Sequence, residues 1–397
     1  MRDSDKKRLL VLTPRLPYPV IGGDRLRIYQ VCKALSARFS LTLVSLCETP
    51  EEQNLAIPND GVFDRVERVL LTKSRSYLNT LMVLPTSTPL QVGYYRSAAF
   101  QEAVDRLLPQ HDGVLSHLIR CAEYARHAAI PKFLEMTDAI SLNYGRVRAL
   151  KSSGGLRNLL YRFEAVRLNR YEHEIISDFD LSILVSDIDR DFLIGGCESD
   201  SILVASNGVD LSSMPFIARH KSRPVIVYIG NMTTVQNMDA CMYFGSKVLP
   251  ILRQHHDVIF RVVGRIDAND AEQLRKFPGV EVTGSVDCIA EAVRDARIGV
   301  CPVRLAAGVQ NKVLEYMAVG LPVVCSRIGY EGLHAIPERD LLLADTPDEY
   351  AVQIKKLWSD NSLRAELAQN ARKYVEAHHD WTAKLAPVVE RVAKCLG

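Results

Sequence analysis

Residues 306–324 read AAGVQNKVLEYMAVGLPVV. The pattern predicts a helix that starts just after Gly308, ends at Gly320 and hands over to a strand behind Pro322. The first amides of such a helix have no intrahelical partners, and the helix dipole is positive there, which makes that end a ready phosphate site. Gly308 lets backbone approach a ligand closely. Lys312 adds a full positive charge one turn in, and Glu315 follows three residues later on the same face. A carboxylate at that distance is a bidentate acceptor on the scale of a vicinal diol such as ribose. The competing reading is a Lys312–Glu315 ion pair on a solvent face. The flanks weigh against it: Val313, Leu314, Met317 and Ala318 bury one side, and the helix lies between two apolar strand segments, RIGVCPV (297–303) and LPVVCS (321–326). In parallel sheets, ligands sit at the carboxyl ends of strands, which is where RIGVCPV meets this loop.

Outward from that stretch the same alternation continues. PVIVYIG (224–230), DVIFRVVG (257–264) and VEVTG (280–284) read as buried strands, with helices over 237–253 and 268–276 between them, and DLLLAD (340–345) extends the series. The N-terminal half repeats the logic. RLLVLTP (8–14) is a strand, Gly22-Gly23 a loop, Arg25–Arg38 an amphipathic helix with Ile28, Val31, Cys32 and Leu35 on one face, and SLTLVSL (40–46) a second strand. Strand, glycine loop, helix, strand is a βαβ unit and implies a parallel sheet. Further strands are expected at Arg68–Leu71, Gly113–Ser116, Lys132–Glu135 and Leu181–Ser186. The chain of 397 residues is too long for one core, and two Rossmann-like α/β halves fit its length.

Bulk properties narrow the class. The chain is 47% hydrophobic and 24% charged, as soluble globular proteins are, and its net charge of +2 gives no global argument for nucleic acid. No apolar run reaches the ~18 residues of a membrane span, and the opening MRDSDKKRLLVLTPRLP reads as a first strand rather than a signal peptide. Nine scattered cysteines without a C-x-x-C fit reduced thiols in a cytoplasm. One segment is unevenly charged: 145–170 holds Arg146, Arg148, Lys151, Arg157, Arg162, Arg167 and Arg170 against Glu164, interleaved with Leu156, Leu159, Leu160, Phe163 and Val166. It reads either as a helix packed on its own domain with a solvated basic face or as a helix lying on an anionic membrane. Asp187-Ile188-Asp189 looks like an N-cap arrangement with Ser186 before it, and His378-His379-Asp380 sits at a helix junction without a fourth ligand, so no metal site is expected.

The chain resembles a GT-B-fold, retaining, nucleotide-sugar-dependent glycosyltransferase of family 4, the group 1 glycosyl transferases, and within it the sugar transferases associated with exopolysaccharide operons. The carriers are TPRLPYP with GGDRLRIYQVCKALS, TPLQVGYYRSAAF (88–100), SNGVD (206–210), YIGNM (228–232), VEVTGSV (280–286) and GVQNKVLEYMAVGLPVV. The resemblance implies α/β domains of GT-B type facing across a cleft: an acceptor-side domain over 1–205, a nucleotide-sugar domain over 206–380 and a last helix, 381–397, packing back on the first. It implies retention without a metal ion or other cofactor, and a saccharide acceptor that is lipid-linked. Glu315 matches the ribose-binding second glutamate of the family's Glu-x7-Glu motif, Gly308 and Val309 the amides at the diphosphate, Gly264 and Val286 the nucleotide pocket, Gly22 and Gly23 the loop near the donor phosphates, and His117 a histidine near the donor sugar. On the acceptor side Arg25 can take a phosphate, Tyr95 can line a groove and Asp138 can orient a hydroxyl; each also has a structural reading, respectively a surface role, a loop pinned to the core and a strand-end residue.

Three positions depart from the pattern. The first glutamate of the motif falls at Ala307, and the family's usual arginine and lysine fall at Asn231 and Gln236. Lys312, Arg304 and Arg265 are the replacement charges at hand, with Lys312 expected to act with His117 and Glu315 in catalysis. The rival readings are a non-catalytic GT-B scaffold for a partner transferase and a nucleotide-sugar epimerase; fold alone does not separate them. The expected setting is cytoplasmic, with peripheral membrane contact through 145–170.

Overall fold

The computed structural model describes residues 6–20, 22–150, 156–196, 199–218, 223–254, 257–305 and 308–397, with only the backbone described at 146–150 and 156–162. They divide into two compact units, 1–205 with 385–397 and 206–384. In the first, seven strands form a parallel sheet: β1 (Arg8–Thr13), β2 (Ser40–Cys47), β3 (Arg65–Leu70), β4 (Gly113–His117), β5 (Lys132–Thr137), β6 (Leu181–Leu184) and β7 (Ile202–Val204). Their order is β3-β2-β1-β4-β5-β6-β7. The second unit holds β8 (Val225–Ile229), β9 (Ile259–Val263), β10 (Val280–Gly284), β11 (Ile298–Cys301), β12 (Val323–Cys325) and β13 (Leu342–Leu343), in the order β10-β9-β8-β11-β12-β13. Renumbered within each unit, both sheets share the doubly wound order 3-2-1-4-5-6, the first extended by β7 beyond β6, and all neighbours are parallel.

Burial explains the apolar runs. Helices cover both faces of a parallel sheet, so its central strands lose the in–out alternation of a half-exposed strand. Every residue of β4, β6, β8 and β11 is buried. The edge strand β3, RVERVL, is half-exposed and carries charge, as edges that must not recruit further strands do. It begins at Arg65, three residues before the expected Arg68.

Other boundaries move for local reasons. The first helix spans Gly23–Ser36 rather than 25–38, because Gly22 at φ 98° turns the chain and its carbonyl accepts the Leu26 amide at 2.9 Å. The helix expected over 237–253 is three segments: Val235–Tyr243, a π-helical turn Phe244–Val248, and Leu249–Arg253. Pro250 has no N–H for the i−4 carbonyl, and the wider turn precedes it. The helix of the opening stretch spans Asn311–Ala318, with Gln310 as its N-cap. It therefore starts two residues later than a helix opening directly after Gly308, and Gly308 instead turns the loop before it at φ 65°.

The last helix, Trp381–Leu396, continues through Pro387. Residues 385–397 cluster with the first unit: Lys7 Nζ donates to the Gly397 carbonyl at 2.6 Å, and Arg391 meets Asp200 at 3.1 Å. Its first turn is held by the second unit, where a side chain at Gly208 would collide with Trp381. His379 just before it is buried between the Asn207 carbonyl, 2.8 Å from Nδ1, and the Tyr374 hydroxyl, 2.9 Å from Nε2. Burial pushes that imidazole down to about 4. Among the described residues, no helix is long and apolar enough to cross a membrane.

Candidate active site

Each sheet reverses its strand order beside its first strand, between β1 and β4 in one unit and between β8 and β11 in the other. The crevice outside the carboxyl ends at such a point is where open α/β sheets bind ligands. The Gly22–Gly23 loop follows β1 and His117 ends β4 at the first of these places, and Asn231 and Gly308 follow β8 and β11 at the second.

In the first unit His117 ends β4, and its Nδ1 lies 2.7 Å from Glu135 Oε2. The other carboxylate oxygen of Glu135 accepts Arg27 Nε at 3.1 Å, and the Thr137 hydroxyl donates to the same carboxylate at 3.0 Å. His117, Glu135 and Arg27 are all buried. Burial works against the Glu135 charge, yet the hydrogen bond from His117 and the Arg27 guanidinium hold its carboxyl at about 2. An ionised Glu135 is acceptor-only, so His117 Nδ1 carries the hydrogen and Nε2 is the nitrogen left for chemistry. The chain is strained at both strand ends: Leu118 lies at φ 60°, ψ 155° and Thr137 at φ 66°. Such backbone costs on the order of 1–3 kcal/mol per residue and clusters at functional sites.

Gly22 and Gly23 are exposed at the start of the first helix, and Asp24 follows them. Burial acts against the Asp24 charge, but Arg15, 3.6 Å away, with His117 and Arg120, holds its carboxyl below the usual range. Arg120 lies over the Tyr95 ring at 5.4 Å and donates to Gln91 at 3.1 Å. Two acceptor-side expectations are corrected. Arg25 is tied to Glu52 at 2.9 Å, so it is no free phosphate cation. Tyr95 is buried and its carbonyl accepts the Tyr124 hydroxyl at 2.6 Å, so its loop is pinned to the core rather than lining a groove. Beside it, a cavity of about 260 Å³ is lined by Arg96, Ser97, Arg120, Glu123 and Tyr124.

Asp138, just past β5, has no hydrogen-bonded side-chain partner among the described residues. Burial, then Asp189 and Glu172, push its carboxyl up to about 7. Glu172, itself pushed up to about 7 by burial, accepts the amides of Ile140 at 2.8 Å and Ser141 at 3.2 Å at the start of the helix Ile140–Leu150. Asp189 accepts the Ala139 amide at 3.0 Å and is capped by Ser186, which confirms the N-cap reading of that motif.

In the second unit three loops are knitted into one rim. The Gly230 amide donates to Val263 at 3.0 Å, Met232 to Arg265 at 2.8 Å, and Gly264 to Gly284 at 2.9 Å. Gly264 lies at φ 128°, and a Cβ there would sit 2.0 Å from the Gly230 carbonyl oxygen, so only glycine fits. Asn231 accepts from the Thr233 amide at 3.2 Å and hydroxyl at 2.8 Å, folding its own turn. Val286 is half-buried and packs against the core of this unit. Val309 is buried, and Gly308 with it.

Lys312 is buried, and it makes no ion pair with Glu315. Its ammonium donates to Asn237 Oδ1 at 3.2 Å and Gln310 Oε1 at 3.1 Å and lies 5.3 Å from the centre of the Tyr228 ring. Asn237 Oδ1 also accepts the Tyr228 hydroxyl at 2.6 Å, and its amide donates to the Asn231 carbonyl at 2.9 Å. Asn237 thus joins the first loop to the helix, a role its place inside an apolar helix did not disclose. Glu315 has no hydrogen-bonded side-chain partner among the described residues; burial raises its carboxyl while Lys312 opposes the rise. Arg304 pairs with Asp239 at 2.7 and 3.1 Å and stacks 4.6 Å over Tyr243, so it is committed within the unit. Arg265 is exposed. Ala307 lies outside the described residues, as do the side chains of Arg146, Arg148, Lys151, Leu156, Arg157, Leu159, Leu160 and Arg162. The helix Asn311–Ala318 is fixed by Tyr316, whose hydroxyl accepts the Ile229 amide at 2.7 Å and whose ring leaves no room for a Cβ at Gly299.

Comparison with known proteins bears on this geometry. Residues 223–360 match the family model described as Glycosyl transferases group 1. An uncharacterized 44.6 kDa protein in a cps region of Klebsiella pneumoniae is 22% identical over 94% of this chain and 96% of its own. Among solved structures, sucrose-phosphate synthase from Thermosynechococcus elongatus superposes with a TM-score of 0.75 at 14% identity, covering 98% of this chain and 99% of that one. HepE from Anabaena, in complex with UDP and glucose, gives 0.68 at 15% identity over 98% and 100% of the two chains. TarM from S. aureus gives 0.69 at 11% identity over 98% and 100%.

Proposed function

We propose that this chain, a GT-B protein whose residues 223–360 form a group 1 glycosyltransferase domain, moves a sugar from a nucleoside diphosphate to a saccharide acceptor. The reading extends to retention at the anomeric carbon, to independence from a metal ion and to a lipid-linked acceptor. The observation that carries it is the arrangement at the start of the helix Asn311–Ala318: a buried ammonium held by Asn237 and, three residues on, a carboxylate with no hydrogen-bonded side-chain partner among the described residues, at the strand-order reversal of the second sheet. HepE, one of the similar structures, holds UDP and glucose.

The roles follow from the chemistry. The bond between the sugar's anomeric carbon and the diphosphate oxygen breaks, and its electron pair stays on the diphosphate. The acceptor oxygen bonds to the anomeric carbon on the same face, and its proton passes to a diphosphate oxygen. Charge therefore grows on the leaving group, and fixed donors aimed there lower the barrier. The backbone amides at Gly308 and Val309 with Lys312 supply them, Glu315 accepts from the ribose, and Gly264 and Val286 shape the base pocket. His117, with its tautomer set by Glu135, meets the donor sugar through Nε2.

Calorimetric titration with UDP, GDP and ADP tests the donor site. One nucleotide is expected to bind, and Glu315→Ala to weaken it at least tenfold. Binding of none, together with activation of a partner transferase, would favour a scaffold, a reading to which Asn231 and Gln236 lend weight because they stand where cations are expected. Product analysis with and without a chelator reports anomeric configuration, metal dependence and any epimerised donor.

A further inference from the structure

The helix Lys73–Val83 is inside out. Its buried positions are Ser76, Asn79 and Val83, while Tyr77, Leu78, Leu81 and Met82 face solvent, with Tyr77 at 63% and Leu81 at 62% of full exposure. Surface helices of globular domains turn their apolar stripe inward. This one is held the other way by specific contacts. Asn79 Nδ2 donates to the Arg96 carbonyl at 2.7 Å. Gly93 brings the next helix, Leu90–Tyr94, so close that a Cβ would meet Val83 at 2.3 Å. The inversion is therefore part of the packing and not a frayed end.

The exposed surface continues past the helix. Leu84 follows it, also exposed, and its carbonyl accepts a hydrogen bond from Arg167 on the helix Leu156–Ile176. Arg167 lies 5.2 Å over the ring of Phe163, and Phe163 and Val166 are 62% and 70% exposed. Seven of the thirteen large hydrophobic residues exposed among the described residues lie on these two helices and at Leu84. An exposed apolar patch of this kind marks a contact surface.

Charge selects the partner. From Arg68 to Gln101 the sequence carries Arg68, Lys73, Arg75 and Arg96 and no carboxylate. Arg167 adds to this on the neighbouring helix, where Glu164 and Glu172 are buried and Glu174 is paired with Arg170. Glu48 stands 3.9 Å from Lys73. A self-complementary dimer would set these cations against one another. An apolar face rimmed by lysine and arginine instead suits the boundary between anionic headgroups and acyl chains. The patch is anchored to the core through a row of rings: Tyr77 packs edge-on against Tyr94 at 5.8 Å, Tyr94 against the buried Tyr95 at 5.0 Å, and Arg120 covers Tyr95.

We infer that the outward face of the helix Lys73–Val83, with Leu84, Phe163 and Val166, docks this protein on an anionic lipid bilayer. The inference gives the proposed lipid-linked acceptor a physical surface and rests on that reading only for its biological sense. Its test uses neither donor nor acceptor, so it succeeds or fails apart from the transfer reaction.

The full chain is sedimented with vesicles of phosphatidylcholine alone and with vesicles containing phosphatidylglycerol. Binding is expected to the anionic vesicles only and to weaken with salt. Leu78→Gln with Leu81→Gln and Met82→Gln replaces exposed side chains, so the fold is expected to persist, as circular dichroism would show, while vesicle affinity falls about tenfold or more. Lys73→Glu with Arg75→Glu keeps the apolar face and is expected to abolish the preference for anionic lipid. Equal binding of the triple variant and wild type overturns the proposal. So does light scattering that shows a dimer which the triple variant turns into a monomer, since a second copy would then cover the face.

Discussion

His117 Nδ1 stands 2.7 Å from Glu135 Oε2, on the carboxyl ends of neighbouring strands β4 and β5. The same carboxylate is the counter-charge of Arg27, which has no exposed surface. One buried glutamate therefore sets the hydrogen of a candidate active-site imidazole and neutralises a guanidinium that water does not reach.

Glu135→Gln is accordingly expected to cost stability as well as turnover. Removing one partner of a buried pair leaves an uncompensated charge, typically worth about 3–5 kcal/mol. Urea denaturation should show that loss. Arg27→Met with Glu135→Gln should recover part of it, because the stranded charge is gone. A Glu135→Gln protein as stable as wild type would contradict the network.

Lys312→Met keeps the volume of the stem and removes the ammonium. Donor affinity is expected to fall at least tenfold, about 1.4 kcal/mol, with kcat reduced further because the charge on the leaving group grows in the transition state. Asn237→Leu should weaken binding in the same direction, since it frees the ammonium and the Tyr228 hydroxyl of their shared acceptor. Unchanged turnover in Lys312→Met would remove this residue from the mechanism.

The pH dependence of stability should have two limbs. Asp138 and Glu172 are raised from 3.8 and 4.5 to about 7, so the folded state binds their protons more readily than the unfolded one. Their contribution is full below pH 4 and is lost as pH rises through 7. Glu135, lowered from 4.5 to about 2, contributes the opposite way: fully above pH 4.5, and less as pH falls toward 2. Asp138→Asn should raise Tm at pH 8 relative to wild type and leave it nearly unchanged at pH 4. Thermal melts in which the variant and wild type run parallel across that range would refute the assignment.

Gly264→Ala is expected to collapse the rim of the second unit. The new methyl would sit 2.0 Å from the Gly230 carbonyl oxygen on a backbone at φ 128°, a conformation that costs side chains on the order of 1–3 kcal/mol before any clash. Loss of nucleotide binding with a lowered Tm is the expected result. A variant that binds nucleotide normally would mean that this loop lies away from the donor.

The sequence by itself determined the alternation of strand and helix, the division into two α/β units and the place of the helix that carries Lys312 and Glu315. Those features are encoded in local pattern: apolar runs for doubly covered strands, glycine where the chain turns, and Lys312 and Glu315 three apart on one helical face. It also marked Gly264, whose conformation admits nothing else. Only the tertiary structure decided the partners of the charges. Lys312 bonds to Asn237, seventy-five residues away in sequence, rather than to Glu315 one turn on; Arg304 is committed to Asp239, Arg25 to Glu52 and Glu135 to both His117 and Arg27. A charged residue inside an apolar strand, as in KFLEMT, signals that a partner exists but not which one, because crossover connections bring together residues far apart in the chain. The inverted helix Lys73–Val83 was hidden for the same reason. Its periodicity defines two faces, and which of them meets the core is set by Asn79 finding the Arg96 carbonyl and by Gly93 admitting Val83.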